Sequence, residues 1–229
     1  MKPLTQKVQY DPAPLEGKVP PEVAWLPSSF HDYPFWIKEG FLDPQSADRL
    51  YQDAYHTRRV RPARVIRADR PTAQVDRHHR RTDWLALSEE SEDLYQARFL
   101  AIKPEIERFF NLVLLESSPP QALGYGAGDY YSCHADNCSI ITDAHQAIVR
   151  WQPVASQRKI TTVCFLNDRF SGGQLRFDYL YENNRPIVIT PKAGTLIAFG
   201  ANPYFAHSVL KVLDGYRITL AHWHDALRL

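Results

Sequence analysis

Between Pro119 and about residue 224 the chain is a succession of short runs rich in Val, Ile, Thr and aromatic residues, separated by Gly, Pro, Asn and Asp. Runs of that composition read as β-strands, and turn residues recurring roughly every 8–12 positions are the spacing of a sandwich or jelly-roll barrel. The candidate strands are 121–125, 129–136, 146–152, 159–166, 174–180, 186–190, 195–199, 205–212 and 216–223. Upstream the pattern changes to helical. Asp43-Pro44 is a helix start, an N-cap acceptor followed by Pro at the first helical position. Ala47, Leu50, Tyr51, Ala54 and Tyr55 then share one face. Ser88 opens a second helix, with acids in its first turn. Pro104 predicts a break near Lys103 and a further helix to about Leu114, burying Ile106, Phe109, Phe110 and Val113. Helices followed by strands give an α+β fold, with the helices supporting one sheet. Residues 1–29, rich in Pro and without periodicity, are expected to form an extended arm, leaving 30–229 as a single domain with its β core at about 119–224.

A chain of 229 residues fits one large domain. Its 44% hydrophobic and 23% charged residues match an ordinary globular protein, and a net charge of +1 gives no general pull on nucleic acid or membranes. No segment is apolar enough to span a bilayer, and the N-terminus lacks the apolar core of a signal peptide. Three scattered cysteines, Cys133, Cys138 and Cys164, argue against a disulfide framework or a thiolate zinc site and for a reducing cytoplasm. Charge is uneven, however: residues 58–81 hold nine arginines against two acids. Such a run is either a solvated loop paired to the acidic remainder or a basic lip for an acidic substrate.

Within the β region, Tyr130–Asn137 carries His134 and Asp136 two residues apart. On a strand, that spacing puts both side chains on one face, which makes two thirds of a metal site. The third ligand must come from another strand. His207 is the best candidate, with His145, His222 and His224 as competitors. Two His and one carboxylate leave open coordination positions, the facial triad of non-haem Fe(II) oxygenases, whereas a structural zinc site is closed by four ligands. Arg217 follows His207 by ten residues across the turn Leu213-Asp214-Gly215, which suggests adjacent antiparallel strands. Its guanidinium could grip a carboxylate in bidentate fashion.

The segments HADN, FLNDRFSGGQLRF, PKAGTLIAF and HSVLKVLDGYR together resemble the iron(II)- and 2-oxoglutarate-dependent dioxygenases, in particular the prolyl 4-hydroxylase-like branch, over about residues 120–224. The resemblance implies a double-stranded β-helix. It implies Fe(II) held by His134, Asp136 and His207, and Arg217 on the far carboxylate of 2-oxoglutarate, with Tyr125 beside it. It also implies O2 as co-substrate, with ascorbate as an accessory reductant. Tyr131 and Trp223 stand where similar hydroxylases line the substrate pocket, and Trp151, in the long link 137–158, is a third pocket candidate. Arg81-Thr82-Asp83-Trp84 resembles an Arg-x-Asp segment of the oxygen-sensing prolyl hydroxylases. Phe165 departs from the pattern, since the family often has a Tyr there. Asp136 favours hydroxylation, because the halogenases of this superfamily lack the carboxylate. The implied reaction hydroxylates an unactivated C–H bond, of a prolyl or related residue in a peptide, a protein or a small molecule. Two alternatives are a non-catalytic metal-binding barrel acting as sensor or scaffold, and a nucleic-acid demethylase. The second would carry an Arg where this chain has Trp223.

Overall fold

The structure, a computed structural model, describes residues 1–28, 30–57, 61–63, 78–115 and 119–228. Most of the 58–81 arginine run therefore lies outside the described residues. Two antiparallel sheets form the body. The larger runs in the order Trp36–Lys38, Leu196–Gly200, Arg158–Phe165, Arg217–Arg228, Gln121–Tyr125, Asp83–Leu85, Arg61–Pro62. The smaller runs Lys2–Pro3, Gln9–Tyr10, Leu175–Glu182, His207–Val209, Tyr130–His134, Arg80–Arg81. From Gln121 onward, setting aside the hairpin strands Cys138–Thr142, Ile148–Pro153 and Arg185–Ile189, the successive main strands alternate between the two sheets. Each residue pointing between the sheets therefore meets side chains from both, and the site is built in that space. The fold is mostly β with few helices, where the sequence suggested α+β with a β core and supporting helices.

Helix α1, Pro44–His56, starts where expected: the Asp43 carboxylate accepts the Ser46 amide at 2.9 Å. Ala47, Leu50 and Ala54 are buried. Helix α2, Glu89–Phe110, does not break at Pro104. The proline is on the exposed face, and the carbonyl it leaves without a donor is that of Leu100, itself 55% exposed, where water can replace the lost bond. The helix ends instead at Asn111, left-handed at φ 51°, the cap that asparagine tolerates. Val113, expected on the buried helix face, is on the short strand Leu112–Leu114 and faces outward.

The link 137–158 is a hairpin. Cys138–Thr142 pairs with Ile148–Pro153. The first residues of the chain run against it. The Trp151 amide donates to the Lys18 carbonyl at 2.9 Å and its indole Nε1 to the Pro14 carbonyl at 3.0 Å. Leu15, Val23 and Trp151 are buried together.

His222 and His224 lie outside the His134–Asp136–His207 cluster. They sit on the helix-covered face of the larger sheet, where the Phe99 ring stacks on His224 at 4.7 Å and Tyr95 lies 5.9 Å from His222. Thr162 Oγ1 is 3.0 Å from His224 Nε2. Burial, then the neighbouring His222 and Lys103, hold the His224 imidazole well below its ordinary value of 6.5. The unfolded ring takes a proton near 6.5 and the folded ring only at much lower pH. Stability should thus be intact above about pH 6.5 and fall as pH drops below it, by at most about 1.4 kcal/mol per pH unit for this group. Urea midpoints measured between pH 7.5 and 5 should show this slope, and His224→Leu should make it shallower by close to one proton. An unchanged slope in the variant would remove His224 from that role.

Candidate metal centre

His134 ends the strand Tyr130–His134, and His207 begins the strand His207–Val209; the two are direct partners across the smaller sheet. Pairing across adjacent strands brings the rings to a centroid distance of 4.2 Å. Asp136 is not on the strand, as the sequence reading had it. It sits in the bend that follows. The bend still turns its carboxylate to the two rings: Oδ1 is 3.8 Å from His134 Nε2 and Oδ2 is 3.9 Å from His207 Nε2. The three ligand atoms lie within 4.8 Å of one another.

Each imidazole is fixed from behind. His134 Nδ1 is 2.9 Å from the Ser132 carbonyl and His207 Nδ1 is 3.0 Å from the Phe205 carbonyl. A carbonyl only accepts, so Nδ1 carries the proton in both rings and Nε2 presents a lone pair to the centre. The Tyr131 ring stacks on His134 at 3.5 Å. Burial and then His207 push the His134 imidazole well below the usual histidine range, which keeps it the neutral ligand a metal requires. Asp136 is oriented by Thr161, whose hydroxyl donates to Oδ2 at 2.7 Å, and its main-chain carbonyl accepts from Arg158 Nη1 at 2.6 Å.

Arg217 opens the last strand, opposite Tyr125 on Gln121–Tyr125. It is 1% exposed, with its guanidinium 4.9 Å from the Tyr125 ring centroid and 5.5 Å from that of Phe165. Nη1 donates to Thr219 Oγ1 at 3.3 Å, and among the described residues Nε is buried without a partner. Burial pulls its pKa down to about 10, with Tyr125 opposing, so it remains a cation at neutral pH. Among the described residues no carboxylate comes within ion-pair reach of it. A buried cation without a counter-ion is costly unless an anion joins it. Gly173 makes room for it: φ is +64°, and a Cβ there would stand 2.9 Å from Arg217 Cδ.

One cavity of about 1240 Å³ is lined by His134, Asp136, His207, Arg217, Tyr125, Tyr131 and Trp223. The structure thus brings together all but one of the residues picked from sequence. Trp151 is the exception. It does not reach the cavity but packs on the far side of the hairpin, 1% exposed, as the anchor for residues 14–18. An aromatic in a strand can point either way, and its neighbours gave no preference. His145 is exposed in the hairpin turn and holds no ligand position. Three contributors went unnoticed in the sequence. Arg158 lies over the Trp223 ring at 4.7 Å, Thr161 orients Asp136, and Arg80, buried, lies over Tyr131 at 4.5 Å. The one available signal for Thr161 was period two: it shares a strand face with Val163, two residues on, and both line the cavity.

Residues 120–225 match the 2OG-Fe(II) oxygenase superfamily. The chain is 31% identical over 143 residues to prolyl 3-hydroxylase 3 of Mus musculus, covering 61% of this chain and 19% of that protein's length. In fold it is similar to a Pseudomonas putida prolyl-4-hydroxylase, with a TM-score of 0.58 at 20% identity over 85% of this chain and 92% of that one. It is likewise similar to a Trichoplax adhaerens prolyl hydroxylase solved with a hypoxia inducible factor oxygen degradation domain peptide, with a TM-score of 0.60 at 17% identity over 83% of each chain.

Proposed function

We propose that the protein is an Fe(II)- and 2-oxoglutarate-dependent hydroxylase of a prolyl or related amino-acid residue, with residues 120–225, which match the 2OG-Fe(II) oxygenase superfamily, as its catalytic part. The observation that carries this reading is the buried Arg217, without a counter-ion among the described residues, in the same cavity as the His134–Asp136–His207 cluster. A metal site alone could be structural. A metal site sharing a cavity with a buried cation that has no carboxylate partner among the described residues fits a dicarboxylate that spans the two. The alternation of strands between the sheets is read as the double-stranded β-helix of that superfamily.

His134, Asp136 and His207 would hold Fe(II), and Arg217, with Thr219 and the Tyr125 face, the far carboxylate of 2-oxoglutarate. When bound, this centre supplies the oxidation: 2-oxoglutarate and O2 become succinate and CO2, and the second oxygen atom enters a substrate C–H bond as hydroxyl. The protein's part is placement. Carbonyl-locked Nδ1 protons keep both imidazoles aimed, with Nε2 toward the centre. Thr161 holds the Asp136 carboxylate in one rotamer. The Tyr125 and Phe165 rings lie against the Arg217 guanidinium and keep water from it, so its attraction for a carboxylate is little screened. Trp223 and Tyr131 flank the metal centre from opposite sheets and give an apolar seat for a ring such as proline.

Anaerobic addition of Fe(II) and 2-oxoglutarate should produce the weak visible charge-transfer band of an Fe(II)–2-oxoglutarate complex. Admitting O2 with prolyl peptides and amino acids should then yield succinate and products heavier by one oxygen atom. Absence of the band would end the iron and 2-oxoglutarate assignment; a band without any product would leave a metal-binding barrel that does not turn over.

A further inference from the structure

The metal ligands are backed, on the side away from the cavity, by the first residues of the chain. Gln9–Tyr10 extends the smaller sheet by pairing with Leu180 and Tyr181. Leu15 and Val23 are buried with Trp151, Ala135 and Ala206. Ala135 stands between the ligands His134 and Asp136, and Ala206 precedes the ligand His207. A second link lies further along the same segment. The main-chain carbonyl of Trp25 accepts a hydrogen bond from Asn202 Nδ2. Trp25 is itself fixed in the core, with its ring 5.7 Å from Phe110 of α2 and the Arg228 guanidinium 6.0 Å from its centroid.

Asn202 is 2% exposed and bonds in two directions. While Nδ2 reaches Trp25, Oδ1 accepts the Tyr204 amide at 3.0 Å and so caps the short 3-10 turn Pro203–Phe205. Within the turn, the Phe205 amide donates to the Asn202 carbonyl at 2.9 Å and the Ala206 amide to the Pro203 carbonyl at 3.1 Å. The Phe205 carbonyl, at the end of the turn, is the one that faces His207 Nδ1 at 3.0 Å. The Phe205 ring is pressed against bare backbone: a Cβ on Gly200 would stand 2.6 Å from it. The residue before Asn202 reaches the carboxylate ligand's bend. The Ala201 carbonyl accepts the amide of Asn137, which follows Asp136, at 3.0 Å. Main-chain bonds of that kind survive most substitutions, whereas the tie from the turn to Trp25 depends on a side chain.

We propose that Asn202 is a positioning residue of the metal centre: it ties the turn before His207 to Trp25 and so keeps the His207 imidazole in its ligand orientation from outside the cavity. This rests on the metal-centre reading above and deepens it. An imidazole is free to turn about χ2 in a broad, roughly two-fold well, and a half turn exchanges the places of its two ring edges. The hydrogen bond to the Phe205 carbonyl removes that freedom, but only while the turn that carries the carbonyl stays in place. Asparagine holds an acceptor and two donors on one short side chain, so it serves as cap and tie together. Aspartate and serine offer the cap without the tie.

The test uses the full chain with Asn202→Asp and Asn202→Ser, which keep the cap acceptor and lose the bond to Trp25. In the metal-free protein, long-range proton–nitrogen spectra should show the Nδ1–H tautomer at both His134 and His207. In either variant the His207 ring should become a mixture of tautomers, while His134, held by the Ser132 carbonyl, stays as it was. Anaerobic equilibrium dialysis should show Fe(II) bound about tenfold more weakly, the lower end of what outer-shell partners contribute. Leu50→Ala, a cavity under α1, is the control for plain destabilisation: it should lower the melting temperature and leave the tautomers and the Fe(II) affinity unchanged. One measurement needs no variant. Coupling is reciprocal, so Zn(II), a diamagnetic stand-in, should slow hydrogen exchange of the Asn202 side-chain amide by about the same factor. If neither variant melts cooperatively, that measurement decides. An unchanged His207 tautomer, equal disturbance of His134 and His207, an unmoved Fe(II) affinity in folded variants, or unchanged Asn202 exchange with Zn(II) bound would overturn the proposal. Failure of the unaltered chain to bind Fe(II) would instead count against the metal-centre reading, and the tautomer comparison would still decide the role of Asn202.

Discussion

Replacing either His134 or Asp136 with alanine is expected to abolish 2-oxoglutarate turnover and the charge-transfer band together. The two supply Nε2 and a carboxylate oxygen to a cluster whose donor atoms all lie within 4.8 Å. Losing one of three protein ligands from an open site leaves the metal with two. A loss of even about 4 kcal/mol in metal binding lowers occupancy about a thousandfold. The fold should survive, since His134 is at a strand end and Asp136 is in a bend. Thr161→Val is the graded companion. It removes the 2.7 Å hydrogen bond to Asp136 Oδ2 but no ligand, and should cost about 10–100-fold in metal affinity. Succinate formation and equilibrium dialysis of Fe(II) read both effects. Wild-type-like turnover in either alanine variant would sink the iron assignment.

Arg217→Ala should raise the KM for 2-oxoglutarate by about two orders of magnitude or more. A charge-assisted contact to a carboxylate, desolvated by Tyr125 and Phe165, is in the class where truncating one partner costs about 2–5 kcal/mol. Arg217→Lys keeps the charge but loses the fork, and should recover only part of the affinity. Gly173→Ala reaches the same residue without altering it. A methyl group 2.9 Å from Arg217 Cδ, on a backbone at φ +64°, must displace the arginine or the loop. Its effect should be smaller than that of Arg217→Ala and in the same direction, with kcat at saturating 2-oxoglutarate less affected than KM. An unchanged KM in Arg217→Ala would remove the residue from the co-substrate site.

The parts of the site legible in the sequence were those fixed by local periodicity and turn chemistry. His134 and Asp136 are near neighbours in the chain. His207 and Arg217 bracket a turn ending at Gly215, which stands at φ +80°. Such features need no knowledge of tertiary packing. What stayed hidden depends on the third dimension. Arg158 looked like one basic residue among many until the register of its strand placed it over Trp223. His222 and His224 had a ligand-like spacing, and only the packing of α2 against that face of the sheet made them core. Pro104 signals a helix end in isolation. In place, Ile106 and Phe110 are buried beyond it and hold the helix together through it. The strand Cys138–Thr142 was read as part of a linker, because Asn137 and Cys138 give it no turn-to-strand boundary.

The bond between Trp151 and residues 14–18 bears on how such a barrel could be re-engineered. A hairpin fastened on one side by a distant stretch of chain is not a self-contained cassette. Grafting a foreign loop onto positions 138–153 while keeping the native residues 14–18 would leave a main-chain carbonyl without its donor and an indole-shaped recess empty. The transplantable unit is the pair, and an exchange of substrate preference between such barrels should succeed only when both pieces travel together.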